Sequence, residues 1–282
     1  MTSANTAGNP LQIIAQVNSD EDETDETTSF LQSASTPTSV STSATAMASD
    51  KRPKEKKESP ATEALSTFNQ HMTTAAHACV LLFVILIIYF CFSGEFVFFS
   101  WHPLLLSIGW MFLMTEAILT ISKENLFTGT LPKKVRVKLH WVFLTIAIVL
   151  ILSGFTVAYL TKNYNNKEHF KSWHAIFGVA GIACSIPTCL DGIAALYHGD
   201  LRHYISPRIN KFIHIMSGVT TFTFGGLALI LSVYTNWFAR HSNQNMITFI
   251  LGLVLVTFPI VWTVIRPATT CLKQVKKLMK LE

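Results

Sequence analysis

From about residue 75 onward the chain alternates between long apolar runs and short polar breaks. The runs cover about 75–92, 102–122, 139–160, 173–197, 211–235 and 246–266. A helix needs about 20 mostly apolar residues to cross a bilayer, so each run predicts a spanning helix. The pattern as a whole predicts an all-α membrane protein of six helices. The connections are short, which makes neighbouring helices antiparallel and packs them as a bundle. Residues 1–70 read differently. They are rich in Ser, Thr and Ala, with an acidic run at Asp20–Glu26 and a basic one at Lys51–Lys57. Such a segment cannot bury enough apolar surface to offset its ordering entropy, and it predicts a disordered cytosolic tail. Residues 71–270 then form the membrane domain, and 271–282 a short basic cytosolic tail.

Composition agrees with this division. Of 282 residues, 50% are hydrophobic and 14% charged, with a mean hydropathy of +0.38. The net charge of +5 acquires meaning only when mapped onto the breaks. Eighteen of the 22 Lys and Arg residues fall in the two tails and in the second-to-third and fourth-to-fifth connections. Only Lys162, Lys167, Lys171 and Arg240 fall on the other side. The positive-inside bias therefore predicts both termini in the cytosol, and basic residues that flank membrane segments argue against a nucleic-acid partner. No secretory signal is expected, because the first apolar run begins near Ala75 and itself acts as the targeting segment. Trp101, Trp141, Trp173 and Trp237 lie near expected membrane boundaries, as an aromatic belt requires. Cys79, Cys91, Cys184 and Cys189 lie in apolar runs and Cys271 in the tail, with no CxxC motif, so they read as small hydrophobes. Gly129 and Pro132 fit a helix break, and Pro187 is placed to kink the fourth helix.

Four histidines, His102, His140, His174 and His214, stand at or near the starts of the second to fifth runs. Because successive helices reverse direction, His102 and His174 share one membrane face, and His140 and His214 share the other. Ionisable residues inside membrane helices are costly and usually functional, and two stacked imidazole pairs suggest two haems. Glycines follow at helical spacing: Gly109 after His102, Gly154 after His140, Gly178 and Gly181 after His174, Gly218 and Gly225 after His214. On the histidine face they predict room for a flat macrocycle. Ordinary helix packing through small residues is the alternative. Zinc is a further alternative for histidine, although two histidines per site undersupply it.

The chain resembles the cytochrome b561 family, specifically its short branch of cytochrome b561 domain-containing proteins. The resemblance rests on Phe99–Leu119, FSWHPLLLSIGWMFLMTEAIL, with S-W-H-P-L and M-T-E-A prominent. Further matches are K-x-R-x-K-L-H-W at Lys134–Trp141, H-x-x-x-x-H-x-x-x-G at His169–Gly178 and H-x-x-S-G at His214–Gly218. It covers about residues 75–266. The resemblance implies a four-helix core of helices two to five holding two non-covalent haems b. The ligands would be His102 with His174 for the outer haem iron and His140 with His214 for the inner. It further implies transmembrane electron transfer from cytosolic ascorbate to monodehydroascorbate or ferric iron, a ferrireductase type of oxidoreductase. Relatives suggest an endoplasmic reticulum or vesicle membrane, and homodimerisation is a family-level expectation.

Ascorbate is an anion, so Lys134, Arg136 and Lys138, just before His140, are candidates for a donor site or for haem propionates. Positive-inside anchoring explains them equally. On the far side His169 is the candidate for meeting the acceptor, with Lys162, Tyr164 and Lys171 weaker ones. Glu116 lies fourteen residues after His102 and is expected to face the bundle interior in a hydrogen bond or a proton-linked role, and Asp191 similarly. His71, His77, His198, His203 and His241 read as residues of tails or loop edges without a ligand role. Two other classes stay open: a haem-bearing subunit that serves quinone or a protein partner, and a haem-free scaffold or transporter.

Overall fold

The computed structural model describes residues 60–201 and 203–279. The acidic and basic runs of the expected tail lie outside the described residues, as do Arg202 and Lys280. Among the described residues six helices are long and apolar enough to cross a membrane, and there is no strand. They are α1 (Pro60–Phe92), α2 (Phe98–Thr120), α3 (Lys133–Tyr164), α4 (Trp173–Leu196), α5 (Pro207–Ser232) and α6 (Met246–Met279). Single short helical segments at His198–Leu201 and Asn236–His241 fill two of the connections. The face that carries the start of α1 and the end of α6 is called the near face below, and the opposite one the far face.

Several helices outrun their apolar cores. α1 starts at Pro60, inside the segment expected to be tail, and α3 starts at Lys133 rather than near residue 139. Proline is suited to a helix start because its missing N–H has no partner there in any case. Pro132 just before α3 and Pro207 at the start of α5 sit accordingly. At α4 the hydroxyl of Ser172 accepts from the Ala175 N–H, a side-chain cap. Pro187 lies inside α4 without ending it.

α2 is composite. A 3₁₀ turn (Phe98–Ser100) leads into one α stretch (Trp101–Leu106), then a π-helical octet (Ser107–Met114), then a second α stretch (Thr115–Thr120). A π segment has wider turns, so these eight residues lag the α-helical phase by roughly a third of a turn. His102 and Glu116 would share a face in a continuous α-helix. Here they are turned to different neighbours. Glu116 meets His77 of α1, whose Nδ1 donates to the carboxylate at 2.8 Å. Glu116 thus lies in a hydrogen bond inside the bundle, as expected, on the side of α2 that faces α1. The reading of His77 as a loop-edge residue is corrected, since it is buried within α1.

Packing groups the helices in pairs. α2 runs along α3, and α4 along α5, the two most extensive helix contacts among the described residues. α1 and α6 pack on each other and buttress the outside, α1 against α2 and α6 against α5. The densest core lies on that side, with Val80, Phe83, Ile87 and Phe90 of α1, Met111 and Met114 of α2, and Val256 and Ile260 of α6. Between the α2–α3 pair and the α4–α5 pair, contact is sparse and runs through the π octet of α2 against α5.

The near-face connection between α2 and α3 is tied down on both sides. Asn125 Oδ1 accepts from the Phe127 and Thr128 N–H groups. Glu124 pairs with Arg266 of α6 and accepts from the Ser122 hydroxyl. The Arg266 hydrogen bond holds the Glu124 carboxyl far below its ordinary range, at about 2 against 4.5, helped by Ser122 and opposed by partial burial. A depressed carboxylate contributes stability above its unfolded pKa and loses it as pH falls through the folded one. Thermal unfolding of wild type and Glu124→Gln in detergent should therefore differ by a constant amount above about pH 5, with wild type the more stable. The gap should close as pH approaches about 2. A gap that persists unchanged at acid pH would dismiss this clamp.

Candidate functional site

The four histidines meet in the pairs that the parity of the helices predicts. Across the gap between helix pairs, the ring centres of His102 (α2) and His174 (α4) lie 6.1 Å apart with planes at 88°. Those of His140 (α3) and His214 (α5) lie 6.3 Å apart at 87°. The first pair is at the far-face level and the second at the near-face level. All four side chains are half-buried.

Each ring is held by one nitrogen. His102 Nδ1 donates to the Gly154 carbonyl at 2.9 Å, and His140 Nδ1 to the Ala117 carbonyl at 2.8 Å. These two bonds run in opposite directions between α2 and α3. His174 Nδ1 donates to the Ala228 carbonyl at 2.8 Å, and His214 Nδ1 to Asp191 Oδ1 at 2.7 Å. That pair is reciprocal between α4 and α5. Ser217 donates to the other Asp191 oxygen at 2.6 Å, which fixes the carboxylate. An imidazole that donates from Nδ1 presents the lone pair of Nε2, the arrangement usual for metal-ligating histidine.

The spacing fits a metal between the rings. Two metal–nitrogen bonds of about 2 Å, with about 1 Å more from each nitrogen to its ring centre, put coaxial ring centres about 6 Å apart. Among the described residues no group of three or more His, Cys, Asp or Glu is assembled to hold an ion. Each pair thus supplies two nitrogen donors, which would suit an iron that brings a macrocycle of its own and are fewer than a closed zinc site uses.

The six glycines separate into two kinds. A Cβ on Gly178 would find nothing nearer than Ala228 at 3.8 Å, and one on Gly218 nothing nearer than Thr188 at 3.9 Å. These two, four residues after His174 and His214, leave open space beside those histidines. The other four are filled by protein. Gly109 lies against Ala147 and Ile151, and Gly154 against Leu106. Gly181 and Gly225 receive the indole of Trp110, and a Cβ on Gly225 would overlap its ring at 1.7 Å. The expectation that all six make room for a macrocycle is corrected for these four, where close packing of small residues prevails. A further glycine, Gly192, had no place in the sequence reading. It lets the His214 ring lie against α4, where a Cβ would meet Cε1 at 3.0 Å.

The basic candidates part company because α3 begins early. Lys134 and Lys138, four residues apart on one helical face, are exposed. Arg136 is buried on the face that carries His140 one turn later, and it donates from Nη1 to the Ile121 carbonyl at 2.6 Å. Its Nε is buried without a partner among the described residues. On the far face His169 is half-buried, stacked on Tyr159 at 4.3 Å, and donates from Nε2 to Asn163 at 2.8 Å. Lys162 donates to the Glu168 carbonyl and Lys171 pairs with Glu168. Asn163 and Tyr164 line a groove of about 690 Å³ together with Phe99. Phe99 in turn stacks on His102 with ring centres 5.4 Å apart.

The sequence profile of eukaryotic cytochrome b561 matches residues 101–239, which include all four paired histidines. Transmembrane reductase CYB561D2 of Bos taurus is 33% identical over 164 residues, 58% of this chain and 73% of that protein. The Homo sapiens protein of the same name is 32% identical over the same shares. Probable transmembrane reductase CYB561D1 of Mus musculus is 27% identical over 180 residues, 64% of this chain and 78% of that protein.

The division of the glycines can be tested by stability alone. Gly225→Ala should lower the thermal unfolding midpoint in detergent, at an overpacking cost of about 1–3 kcal/mol. In haem-free protein Gly178→Ala should leave it unchanged or raise it by up to about 1 kcal/mol, from helix propensity. Equal effects at the two positions would overturn the division.

Proposed function

The chain belongs to the cytochrome b561 family, oxidoreductases that carry haem b and transfer electrons across membranes, and we propose that it does so with two haems, from cytosolic ascorbate to an acceptor beyond the membrane. The observation that carries this reading is the set of four Nδ1 hydrogen bonds, which turn four imidazoles into two facing pairs of prepared ligands. In this reading His102 and His174 hold the outer haem, and His140 and His214 the inner. When bound, each haem supplies reversible one-electron chemistry at its iron, which no side chain of the bundle supplies.

The remaining residues bind, orient and tune. Gly178 and Gly218 keep open the space beside His174 and His214. The buried, unpartnered Nε of Arg136, on the His140 face, suits a haem propionate. Lys134 and Lys138 form a pair of like charges that an ascorbate anion relieves. The count of basic residues supports the near face, with both termini, as the cytosolic one. At the far face the groove beside Phe99 and Asn163, with His169 bonded to Asn163, suits monodehydroascorbate or ferric iron as acceptor. The resemblance of the sequence to its family supports an endoplasmic reticulum or vesicle membrane.

Asp191 separates the two levels. A carboxylate accepting from His214 Nδ1 makes that imidazole a stronger donor than one bonded to a backbone carbonyl. A stronger donor stabilises ferric iron and lowers the potential of the inner site, which favours outward electron flow.

Purified wild-type protein should contain two haems b per chain, both reduced on adding ascorbate. His102→Ala and His140→Ala should each lose about half of the haem, and full haem content in both variants would refute the ligand assignment. Asp191→Asn should raise the midpoint potential of one haem only. A redox titration in which neither potential moves would discard the tuning role.

A further inference from the structure

Trp110 packs on Gly181 and Gly225, and packing alone does not account for the choice of tryptophan there. Its indole is 2% exposed. It projects from the π octet of α2 across the sparse gap into the crossing of α4 and α5, where only glycine fits on either side. A Cβ on Gly225 would stand 1.7 Å from Cζ2, and one on Gly181 2.9 Å from Cη2. The indole Nε1 is buried without a hydrogen-bond partner among the described residues. Buried donors are nearly always paired, and phenylalanine would fill apolar space without that cost. The position therefore uses something that indole has beyond bulk.

The levels can be counted along each helix. On α2, Trp110 is eight residues beyond His102 and seven before Ala117, the partner of His140. On α4, Gly181 is seven residues beyond His174 and ten before Asp191, the partner of His214. On α5, Gly225 is eleven residues beyond His214 and three before Ala228, the partner of His174. At about 1.5 Å per residue, the indole lies between the two histidine levels on all three helices. It sits nearer the far-face level where it meets α5.

We propose that Trp110 is the bridging residue that couples the two haem sites, a step that rests on the two-haem reading above. One electron leaves the iron held by His140 and His214, which passes from iron(II) to iron(III). It arrives at the iron held by His102 and His174, which passes from iron(III) to iron(II). The indole keeps no charge and loses no proton. Its extended π system replaces what would otherwise be a gap between helix pairs, and electronic coupling decays more slowly through packed conjugated atoms than through a gap. The π octet and the two glycines place the ring there.

The test uses full-length protein in nanodiscs, with rapid mixing against ascorbate and both haem absorbances followed in time. Trp110→Leu should leave haem content and the first phase of reduction unchanged and slow the second phase about tenfold. Trp110→Phe, which keeps an aromatic ring and spares the fold if leucine does not, should slow it about threefold. Redox titration of the same samples should show both midpoint potentials in place, a result that a merely structural role would not give alongside the slow phase. Tryptophan fluorescence gives a readout independent of turnover. Haem loading should quench wild type by a larger amount than Trp110→Phe, because the buried indole lies between both haems. A second phase of unchanged rate in a variant with two haems overturns the bridge alone. A wild-type protein with a single haem overturns the two-haem reading and the bridge with it.

Discussion

An imidazole ring has two nitrogens, and it can serve as a directed ligand only if one of them is held. The structure depends on that constraint. Each of the four rings gives its Nδ1 proton to an oxygen on the adjacent antiparallel helix, so that α2 clasps α3 at both ends and α4 clasps α5 at both ends. The hydrogen bonds therefore run within helix pairs, while the rings meet across them. The separation of these two directions goes with the sparse contact between the pairs, since the imidazole rings occupy the space between them. It also explains the outer helices. A bundle with an open seam needs its density elsewhere, and α1 and α6 provide it against α2 and α5.

The six spans and the histidine pairs were legible because both depend on counting. An apolar run of sufficient length predicts a helix, and the parity of antiparallel helices assigns each starting residue to a face. The interior of α2 was not legible. Ser107–Met114 is almost entirely apolar, so no polar residue reports the phase of the helix, and the switch to π geometry passes unseen. That switch turns Glu116 toward His77 of α1. Arg136 was misplaced for a related reason: the apolar run begins near residue 139, but Pro132 starts the helix six residues earlier and turns Arg136 inward. Glycine spacing identified small positions but not their occupants, because Trp110 and Gly225 are far apart in sequence and only the folded chain brings them together. One signal was present: Trp110 lies mid-span, where an interfacial belt has no use for tryptophan.

The two levels are not equivalent in their supports. Three of the histidines lean on backbone carbonyls, which no side-chain substitution removes. His214 alone leans on a carboxylate, itself fixed by Ser217. A backbone partner is set by the fold, whereas Asp191 and Ser217 can be varied one at a time. The near-face level is thus the one whose chemistry point mutation can tune without moving a helix.

The reciprocal clasps also bear on how such a protein is made. α2 and α3 are adjacent in the chain, and their two hydrogen bonds close a hairpin before α4 has been synthesised. That hairpin already presents His102 and His140, one near each of its ends. The hairpin of α4 and α5 brings the two missing imidazoles together, in a single docking event. On the two-haem reading, the far-face pair waits for α4 and the near-face pair for α5. The first hairpin alone can close neither, so cofactor loading would follow the arrival of the second.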